Sequence, residues 1–327
     1  MNIAFAGLRH GHIFVLHTMV QEHPDFTVTG AWEPDAAARA AAREKGVDCR
    51  YATLEELLAD PAVETVALGG CFADRGGVAI AALKAGKHVI ADKPLCTSLE
   101  ELDEIERLAK SSGKIVSCMF TMRFEPVVLA VRQLAKSGEL GEINNVYFGG
   151  QHPLQYGRRP MWYFEEGKHG GVLNDIAIHG MDVLEYAFGL RCKTINAARC
   201  WNKFADSEPA FRDSAQLMLT AQNGAGVLGD VSYAIPDGVE FALPYYWEFM
   251  VWGTDGMAEF SLGKNHAVFY KKGKKEPVEL ALVQPATDYL TDFLRVVNGE
   301  TDVILPVEDV FASTRATLLL QKKADEG

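Results

Sequence analysis

The stretch that decides the fold is MNIAFAGLRHGHIFVLHTMV, residues 1–20. An apolar run from Ile3 to Ala6 leads into Gly7, and a segment with helical patterning follows. Dinucleotide-binding folds carry G-x-G-x-x-G at such a strand–turn–helix junction. Here the second and third glycine positions hold Arg9 and His12. The stretch therefore predicts a nucleotide-binding unit whose phosphate-binding turn is altered.

The alternation of strand and helix continues through the first 120 residues. Helix signals support it: Pro34 stands near the start and Gly46 beyond the end of the second helix, and Ser98 and Glu101 fit a capping box. Further strands are predicted at FTVTGAWE, VETVALGG, HVIAD and KIVSCMF. This pattern predicts an α/β fold with a doubly wound parallel sheet, a Rossmann domain over residues 1–122.

After Phe124 the periodicity changes and strands come to dominate. Hairpins are predicted at Asn223-Gly224, at Asp255-Gly256 and near Gly273. We expect an α+β domain over residues 123–327 with a large, mostly antiparallel sheet. We also expect a terminal amphipathic helix at about residues 306–325 to pack back on the first domain.

Composition excludes several functional classes. The chain has 327 residues, 48% of them hydrophobic, and a formal net charge of −12. That charge argues against nucleic-acid and anionic-membrane partners. The six cysteines form no C-x-x-C pair, and no apolar run approaches the roughly 18 residues of a membrane span. We expect a cytoplasmic-type protein with reduced thiols and no signal peptide.

Two residues of the first domain suggest chemistry. Glu33 ends the second strand, 22 residues after Gly11, where an acidic side chain binds the adenosine ribose hydroxyls. It would repel a 2′-phosphate, so NAD is favoured over NADP; alternatively it is a surface residue before Pro34. Lys93, in ADKPL, follows the fourth strand and either points into the ligand crevice or is a solvated charge.

The segment HGGVLNDIAIHGMDVLEYAFG, residues 169–189, predicts a buried helix, apolar nearly all round. Asp175, His179 and Asp182 are spaced to share one face. Three interpretations remain open: a structural network, a metal site, or general acid–base chemistry with His179 oriented by a carboxylate. The third is favoured, and no metal is assigned because no third imidazole or thiol is near in sequence.

Upstream, YGRRPMWYF places Arg158, Arg159, Trp162 and Tyr163 in one loop. The loop is either a substrate wall, with the arginines hinting at a carboxylate or phosphate, or a packed loop anchored by its aromatic side chains.

The assembled pattern resembles the Gfo/Idh/MocA family of sugar and cyclitol oxidoreductases over essentially the whole chain. AGKHVIADKPLCTSLEEL is similar to the family's A-G-K-H-V-x-x-E-K-P segment, with Asp92 in place of Glu. FTMRFEP resembles its R-R-F-x-P stretch, and GGVLNDIAIHGMDVLEYAFG its G-G-x-L-x-D-x-G-x-H-x-x-D helix, with Ala177 for glycine. EFMVWGTDGMAEF looks like a hairpin of the sheet through which members commonly associate.

The resemblance implies hydride transfer between a secondary hydroxyl carbon of a sugar, cyclitol or sugar acid and nicotinamide C4. It implies that Lys93 hydrogen-bonds the reacting hydroxyl, that His179 exchanges its proton, and that Asp175 orients His179 and the substrate. A homodimer or homotetramer through the C-terminal sheet is implied as well. The predicted cofactor-binding residues are Gly7, Arg9, His10, Gly11, Glu33, Phe72, Asp92 and Lys93, and the predicted substrate residues are Arg123, Trp162, Tyr163, Asp175 and His179.

The altered turn departs from the family pattern. Arg9 could pair with a phosphate, Gly11 could supply the missing backbone freedom, and the helix N-terminus still attracts anions. We interpret the turn as altered but occupied. The alternatives are a ligand sensor of the same fold without turnover, and a lyase or hydrolase that uses tightly bound NAD transiently.

Overall fold

The computed structural model describes residues 1–236, 238–239 and 246–326, which form two compact units. Unit 1 comprises Met1–Met119, Pro160–Gly170 and Tyr289–Thr314, and unit 2 comprises Phe120–Arg159, Gly171–Asp288 and Arg315–Gly327.

Unit 1 is built on a five-stranded parallel sheet flanked by helices, as the alternation predicts. Its strands are β1 (Asn2–Ala6), β2 (Thr27–Trp32), β3 (Thr65–Leu68), β4 (His88–Ala91) and β5 (Val116–Cys118). Its helices are α1 (His12–Glu22), α2 (Ala36–Glu44), α3 (Leu54–Ala59), α4 (Phe72–Lys84) and α5 (Leu99–Ser112), and α8 (Tyr289–Val297) joins them from later in the chain. The strand order β2-β1-β3-β4-β5 is that of a doubly wound fold, which brings the carboxyl ends of β1 to β5 to one edge.

The predicted helix signals are confirmed. The Ser98 hydroxyl accepts from the Glu101 amide at 3.1 Å, and the Glu101 carboxylate accepts from the Thr97 amide at 3.3 Å, which is a capping box at the start of α5. Asp35 caps α2 by accepting from the Ala38 amide at 2.8 Å.

Unit 2 is built on an eight-stranded sheet. Its strands are β6 (Ile143–Pro153), β7 (Cys192–Trp201), β8 (Ser214–Ala221), β9 (Gly226–Ile235), β10 (Glu248–Gly253), β11 (Gly256–Ser261), β12 (His266–Lys271) and β13 (Val278–Glu279). Its helices include α6 (Pro126–Lys136) and α7 (Ile178–Phe188). In the order β13-β12-β11-β10-β6-β9-β8-β7, β6 and β9 run parallel and every other neighbouring pair is antiparallel. The hairpins at residues 223–224, at 255–256 and near 273 are confirmed.

The observed units differ from the predicted contiguous division into residues 1–122 and 123–327. Residues 160–170 and 289–314 belong to unit 1, because long-range contacts attach them to it. The Trp162 indole donates to the Arg9 carbonyl at 3.3 Å, and the Tyr289 and Ser117 hydroxyls are 2.8 Å apart. The terminal helix α9 (Val307–Asp325) contributes residues 307–314 to unit 1 and its remainder to unit 2.

All six cysteines are free thiols. Within the described ranges, none of the helices combines the length and the apolar composition that crossing a membrane requires.

Candidate cofactor-binding and catalytic site

The turn after β1 is held close to the end of β3. Gly7 has φ +79°, and a Cβ atom there would lie 2.6 Å from Gly70 backbone atoms, so the position requires glycine. The amides of Arg9 and His10 both donate to the Gly69 carbonyl, at 2.8 and 3.0 Å. The first glycine of the motif is thus retained for a clear steric reason.

The other motif positions are accommodated differently. Gly11 is the N-cap of α1 with φ −64°, a conformation that any residue adopts, so the expectation that it supplies backbone freedom is wrong. A Cβ atom at Gly11 would meet nothing within 4 Å, which leaves the backbone open to a ligand. The amides of Ile13 and Phe14 donate to the carbonyls of His10 and Gly11 at 3.4 and 3.2 Å, so the start of α1 attracts an anion chiefly through the helix dipole.

Arg9, at the second glycine position, points its guanidinium to within 3.8 Å of the Asp35 carboxylate, and both side chains are partly exposed. A side chain in that direction does not fill the turn, so it leaves room for a phosphate and supplies a positive charge beside it.

Glu33 follows the end of β2 as predicted, but its side chain is almost fully buried. Its carboxylate accepts from the amide of Leu8 at 2.5 Å and from that of Asp35 at 2.8 Å. Burial raises the pKa of Glu33, and these amide bonds partly offset the rise. Glu33 therefore ties the turn after β1 to the end of β2, and each oxygen keeps a lone pair that a ribose hydroxyl could use.

A buried ionic cluster lies at the carboxyl end of β4. The Asp92 carboxylate is inaccessible to solvent, its Oδ2 contacts His10 Nδ1 and lies 3.0 Å from Arg75 Nη2, and its Oδ1 lies 3.4 Å from His12 Nδ1. Burial lowers the pKa of His10 to about 4, so this imidazole is neutral near pH 7. Burial alone would raise the pKa of Asp92, but His10 and Arg75 outweigh it and hold that pKa well below its usual range.

Lys93 comes directly after this cluster. Its side chain is 5% exposed, its Nζ lies 5.9 Å from the centroid of the Phe72 ring, and the peptide bond to Pro94 is cis. Arg75 Nη1 donates to the carbonyls of Asp92, Lys93 and Pro94 at 2.7, 2.6 and 3.1 Å. One buried arginine therefore fixes the backbone that carries the predicted catalytic lysine.

Trp162 and Tyr163 pack around Phe72 inside unit 1. Ring centroids are 5.0 Å apart for Phe72 and Trp162, and 5.4 Å for Phe72 and Tyr163; the His10 ring lies 5.2 Å from Phe72. Both loop aromatics are 1% exposed. This burial favours the packed-loop interpretation over a substrate wall, while their substrate role stays a prediction.

In unit 2, Asp175 and His179 lie on consecutive turns of one buried helical segment. Residues Leu173–Ala177 form a π-helical turn, which continues directly into α7. The sequence predicts a regular helix here, whereas the wider turn changes the register ahead of His179 and is a feature common at functional sites. Asp175 is 2% and His179 8% exposed, and the His179 ring packs edge-on to Trp247 at 5.7 Å.

The start of this segment is anchored by α9. The Gln321 carboxamide accepts from the Leu173 amide at 3.1 Å, and Thr317 donates to the Asn174 side chain at 3.2 Å. Gly171 has φ +93°, and a Cβ atom there would lie 2.1 Å from Gln321. The terminal helix therefore holds the segment that presents Asp175 and His179.

Asp182, the third polar residue of the predicted face, pairs with Arg123. Arg123 Nε lies 3.1 and 3.0 Å from the two Asp182 oxygens, and Nη2 lies 2.7 Å from Oδ1. Both side chains are buried, so the ion pair gives Arg123 a structural role. Its predicted role in substrate binding stays a prediction. Arg159 is likewise engaged, donating to the carbonyls of Leu154 and Pro153.

Of the predicted site residues, those in unit 1 are Gly7, Arg9, His10, Gly11, Glu33, Phe72, Asp92, Lys93, Trp162 and Tyr163, and those in unit 2 are Arg123, Asp175 and His179. Sequence reasoning missed Arg75, the approach of His12 to Asp92, and Gln321. Arg75 could have been found, because it lies on the apolar face of α4, three positions after Phe72, where a charged side chain needs buried partners.

Two family models match the chain. The model described as "Oxidoreductase family, NAD-binding Rossmann fold" covers residues 1–120, and the one described as "GFO/IDH/MocA C-terminal domain" covers residues 128–259.

Individual relatives agree with these models. A D-xylose dehydrogenase of Paenarthrobacter nicotinovorans is 26% identical over 64% of this chain and 57% of its own length. A scyllo-inositol 2-dehydrogenase (NAD(+)) of Bacillus subtilis strain 168 is 27% identical over 59% of this chain and 55% of its own. The chain thus matches somewhat over half the length of these curated relatives. An NAD-binding protein of Listeria innocua superposes with a TM-score of 0.80 at 22% identity, covering 99% of this chain and 95% of that one, which shows a shared fold.

Proposed function

The chain belongs to the GFO/IDH/MocA oxidoreductase family, and we propose that it is an NAD-dependent dehydrogenase or reductase of a sugar, cyclitol or sugar acid. The observation that carries this proposal is the edge of the parallel sheet in unit 1, where the open start of α1, Glu33 and Lys93 all follow strand ends. Ligands of doubly wound sheets bind at this edge. Bound NAD would supply the hydride acceptor at nicotinamide C4.

The chain's own residues would manage the proton and the orientation. During oxidation, His179 would take the proton of the reacting hydroxyl as its hydride leaves the same carbon, and it would return a proton in reduction. Asp175, one turn earlier on the same segment, would orient His179. Lys93 would hydrogen-bond the hydroxyl oxygen, and its backbone is fixed by Arg75.

Turnover tests these roles. We expect Lys93→Ala and His179→Ala to lower kcat/KM for polyols by at least the roughly 100-fold typical of a lost proton-transfer group, with the fold retained. Lys84→Ala and His266→Ala are matched controls, because the side chains are 60% and 43% exposed and lie outside the candidate site. Unchanged rates in the two site variants would refute the roles.

The same assays separate the alternative functions. Binding of NAD without any turnover across sugars and polyols would favour the sensor alternative, and net reaction without NADH accumulation would favour a lyase or hydrolase.

NAD preference rests on Glu33. Its carboxylate at the end of β2 would accept ribose hydroxyls and repel a 2′-phosphate. Calorimetric titration should therefore show tighter binding of NAD than of NADP, and Glu33→Ala should reduce that difference. Equal affinities in the unchanged protein, or tighter binding of NADP through Arg9, would refute the preference.

We also propose that the chain assembles as a homodimer or homotetramer through the sheet of unit 2. Tyr147, Leu228, Met218 and Ala197 are register neighbours across β6, β9, β8 and β7. Leu228 and Met218 are 54% and 45% exposed, and the row borders a groove of 450 Å³. A contiguous apolar row on an open sheet face is typical of a protein interface. Leu228→Lys should reduce the mass seen by light scattering, whereas Leu319→Lys, at another exposed leucine, should not; a monomeric unchanged protein would refute the proposal.

A further inference from the structure

The cluster around Asp92 contains a donor set that hydride transfer does not need. Two imidazoles and one carboxylate, from His10, His12 and Asp92, offer three ligand atoms that lie within 4.8 Å of one another. Two histidines and a carboxylate, with the fourth position open, are the protein ligands of many catalytic zinc sites.

The two oxygens of Asp92 are used differently. Oδ2 accepts from His10 and from Arg75. Oδ1 is buried and, within the described part of the chain, no group meets hydrogen-bond geometry with it; His12 Nδ1 is at 3.4 Å. Buried carboxylate oxygens normally have partners, so an unsatisfied one beside an imidazole nitrogen is suited to ligate a cation.

The distance between His12 Nδ1 and Asp92 Oδ1 fits two ligands of one zinc ion. Zn²⁺ binds histidine nitrogen at about 2.0–2.1 Å and carboxylate oxygen at about 2.0–2.2 Å, so two of its tetrahedral ligands lie about 3.3–3.5 Å apart. His12 Nδ1 and Asp92 Oδ1 are 3.4 Å apart. The His12 side chain is 53% exposed, which gives an ion access from solvent to the buried oxygen.

Arg75 does not close the site. Its guanidinium is held on the Oδ2 side by the carbonyls of Asp92, Lys93 and Pro94, and its Nε donates to the Gly70 carbonyl at 3.1 Å. It therefore neutralises part of the charge of Asp92 without occupying Oδ1. His10 would complete the donor set in its neutral form, with the ring proton on Nε2 and Nδ1 bound to the ion in place of its hydrogen bond to Oδ2.

We propose that His10, His12 and Asp92 bind one divalent transition-metal ion of the zinc class, at the turn that replaces the usual glycine motif. The site lies wholly within unit 1 and needs neither a dinucleotide nor a substrate to form.

The test uses the full chain freed of metal with a chelator. Zn²⁺ alone is titrated in competition with a chromophoric chelator, and Co²⁺ is titrated separately to follow its visible absorption. We expect one equivalent of Zn²⁺ per chain and the intense absorption of four-coordinate Co²⁺. His12→Gln should weaken Zn²⁺ binding by more than the roughly 10- to 100-fold that loss of an outer-shell partner costs, and should abolish the Co²⁺ bands.

His266→Gln is the matched control. His266 is also a half-exposed histidine beside a carboxylate, with Nδ1 3.2 Å from Glu279, but it stands in β12. Its substitution should leave metal binding unchanged. Asp92→Asn is a second variant, and the half-exposed His12 keeps the test decisive if that variant fails to fold. Any one of three results would overturn the proposal: no saturable Zn²⁺ binding, Zn²⁺ binding that survives His12→Gln, or an equal loss of binding in the His12 and His266 variants. Because no dinucleotide is present, these outcomes are independent of the proposed oxidoreductase activity.

Discussion

The buried ion pair of Arg123 and Asp182 should be the most costly pair to break in unit 2. The guanidinium makes three short N–H···O contacts to the carboxylate, and the two side chains are 0% and 1% exposed. Asp182→Asn keeps the shape but removes the negative charge that pairs with the arginine in a buried site. Removing one partner of such a pair costs about 3–5 kcal/mol. That is a large share of the roughly 5–15 kcal/mol by which domains are stable.

The assay is guanidinium chloride unfolding followed by far-UV circular dichroism, with the free energy extrapolated to water and the m-value compared between variants. The matched control is Glu185→Gln, three residues further along α7. Glu185 pairs with Arg191 at 2.6 Å; the Glu185 side chain is 10% and the Arg191 side chain 50% exposed, so solvent screens this pair from the arginine side and its loss should cost about 1 kcal/mol.

The double variant Arg123→Met, Asp182→Leu checks the cause. If the loss in Asp182→Asn comes from an unpaired buried charge, removing both charges should recover most of it, because apolar replacement of a buried pair is often neutral or stabilising. An effect of Asp182→Asn no larger than that of Glu185→Gln would refute the reasoning. A double variant less stable than Asp182→Asn would show that packing, not charge, sets the cost.

Three further predictions concern stability. A Cβ atom at Gly180 would lie 2.4 Å from the Phe148 ring, so Gly180→Ala should destabilise by about 1–3 kcal/mol. Gly77→Ala, in an open helical position, should instead stabilise by about 0.5–1 kcal/mol. If denaturant unfolding shows that the two glycine variants change the free energy of unfolding in the same direction, both expectations are contradicted. Ser98→Ala removes the cap of α5 and should cost about 1 kcal/mol, seen as a lower Tm; an unchanged Tm would show that the cap is dispensable. Burial alone would raise the pKa of Asp213, but a neighbouring hydroxyl and three backbone amides lower it, so the folded state favours the carboxylate. The stability advantage of the unchanged protein over Asp213→Asn should be full above about pH 4 and vanish as the pH falls through the lowered pKa; a constant difference in unfolding free energy would contradict this.

Local patterns predicted much of the fold because helix periods, caps and turn glycines act within a few residues. The capping box of Ser98 and Glu101 and the turn at Asn223-Gly224 are examples. The short helix α3, the helix α8 and the π-helical turn before His179 were missed. Helix α3 has only six residues, too few for a clear period, whereas α8 has a clear amphipathic pattern that could have been recognised. The π-helical turn depends on anchoring by Gln321, which is 148 residues beyond Leu173.

The candidate site divides in the same way. Glu33, Lys93, Asp175 and His179 could be selected from sequence because each stands at a strand end or in an apolar helix, where a polar side chain is unusual. Their partners could not be selected, since a contact between distant segments leaves no local pattern.

The sequence by itself determined the class of the fold, the order of its elements and the identity of the residues that could carry chemistry. Tertiary structure alone decided which buried polar groups meet: Asp92 contacts His10, 82 residues away, and Asp182 pairs with Arg123, 59 residues away. The physical reason is that burying a charged group without a partner costs free energy, and which partner lies within reach depends on how distant segments pack. The same packing holds the turn after β1, in which Arg9 and His12 stand at two of the glycine positions, through contacts with Glu33 and Asp92.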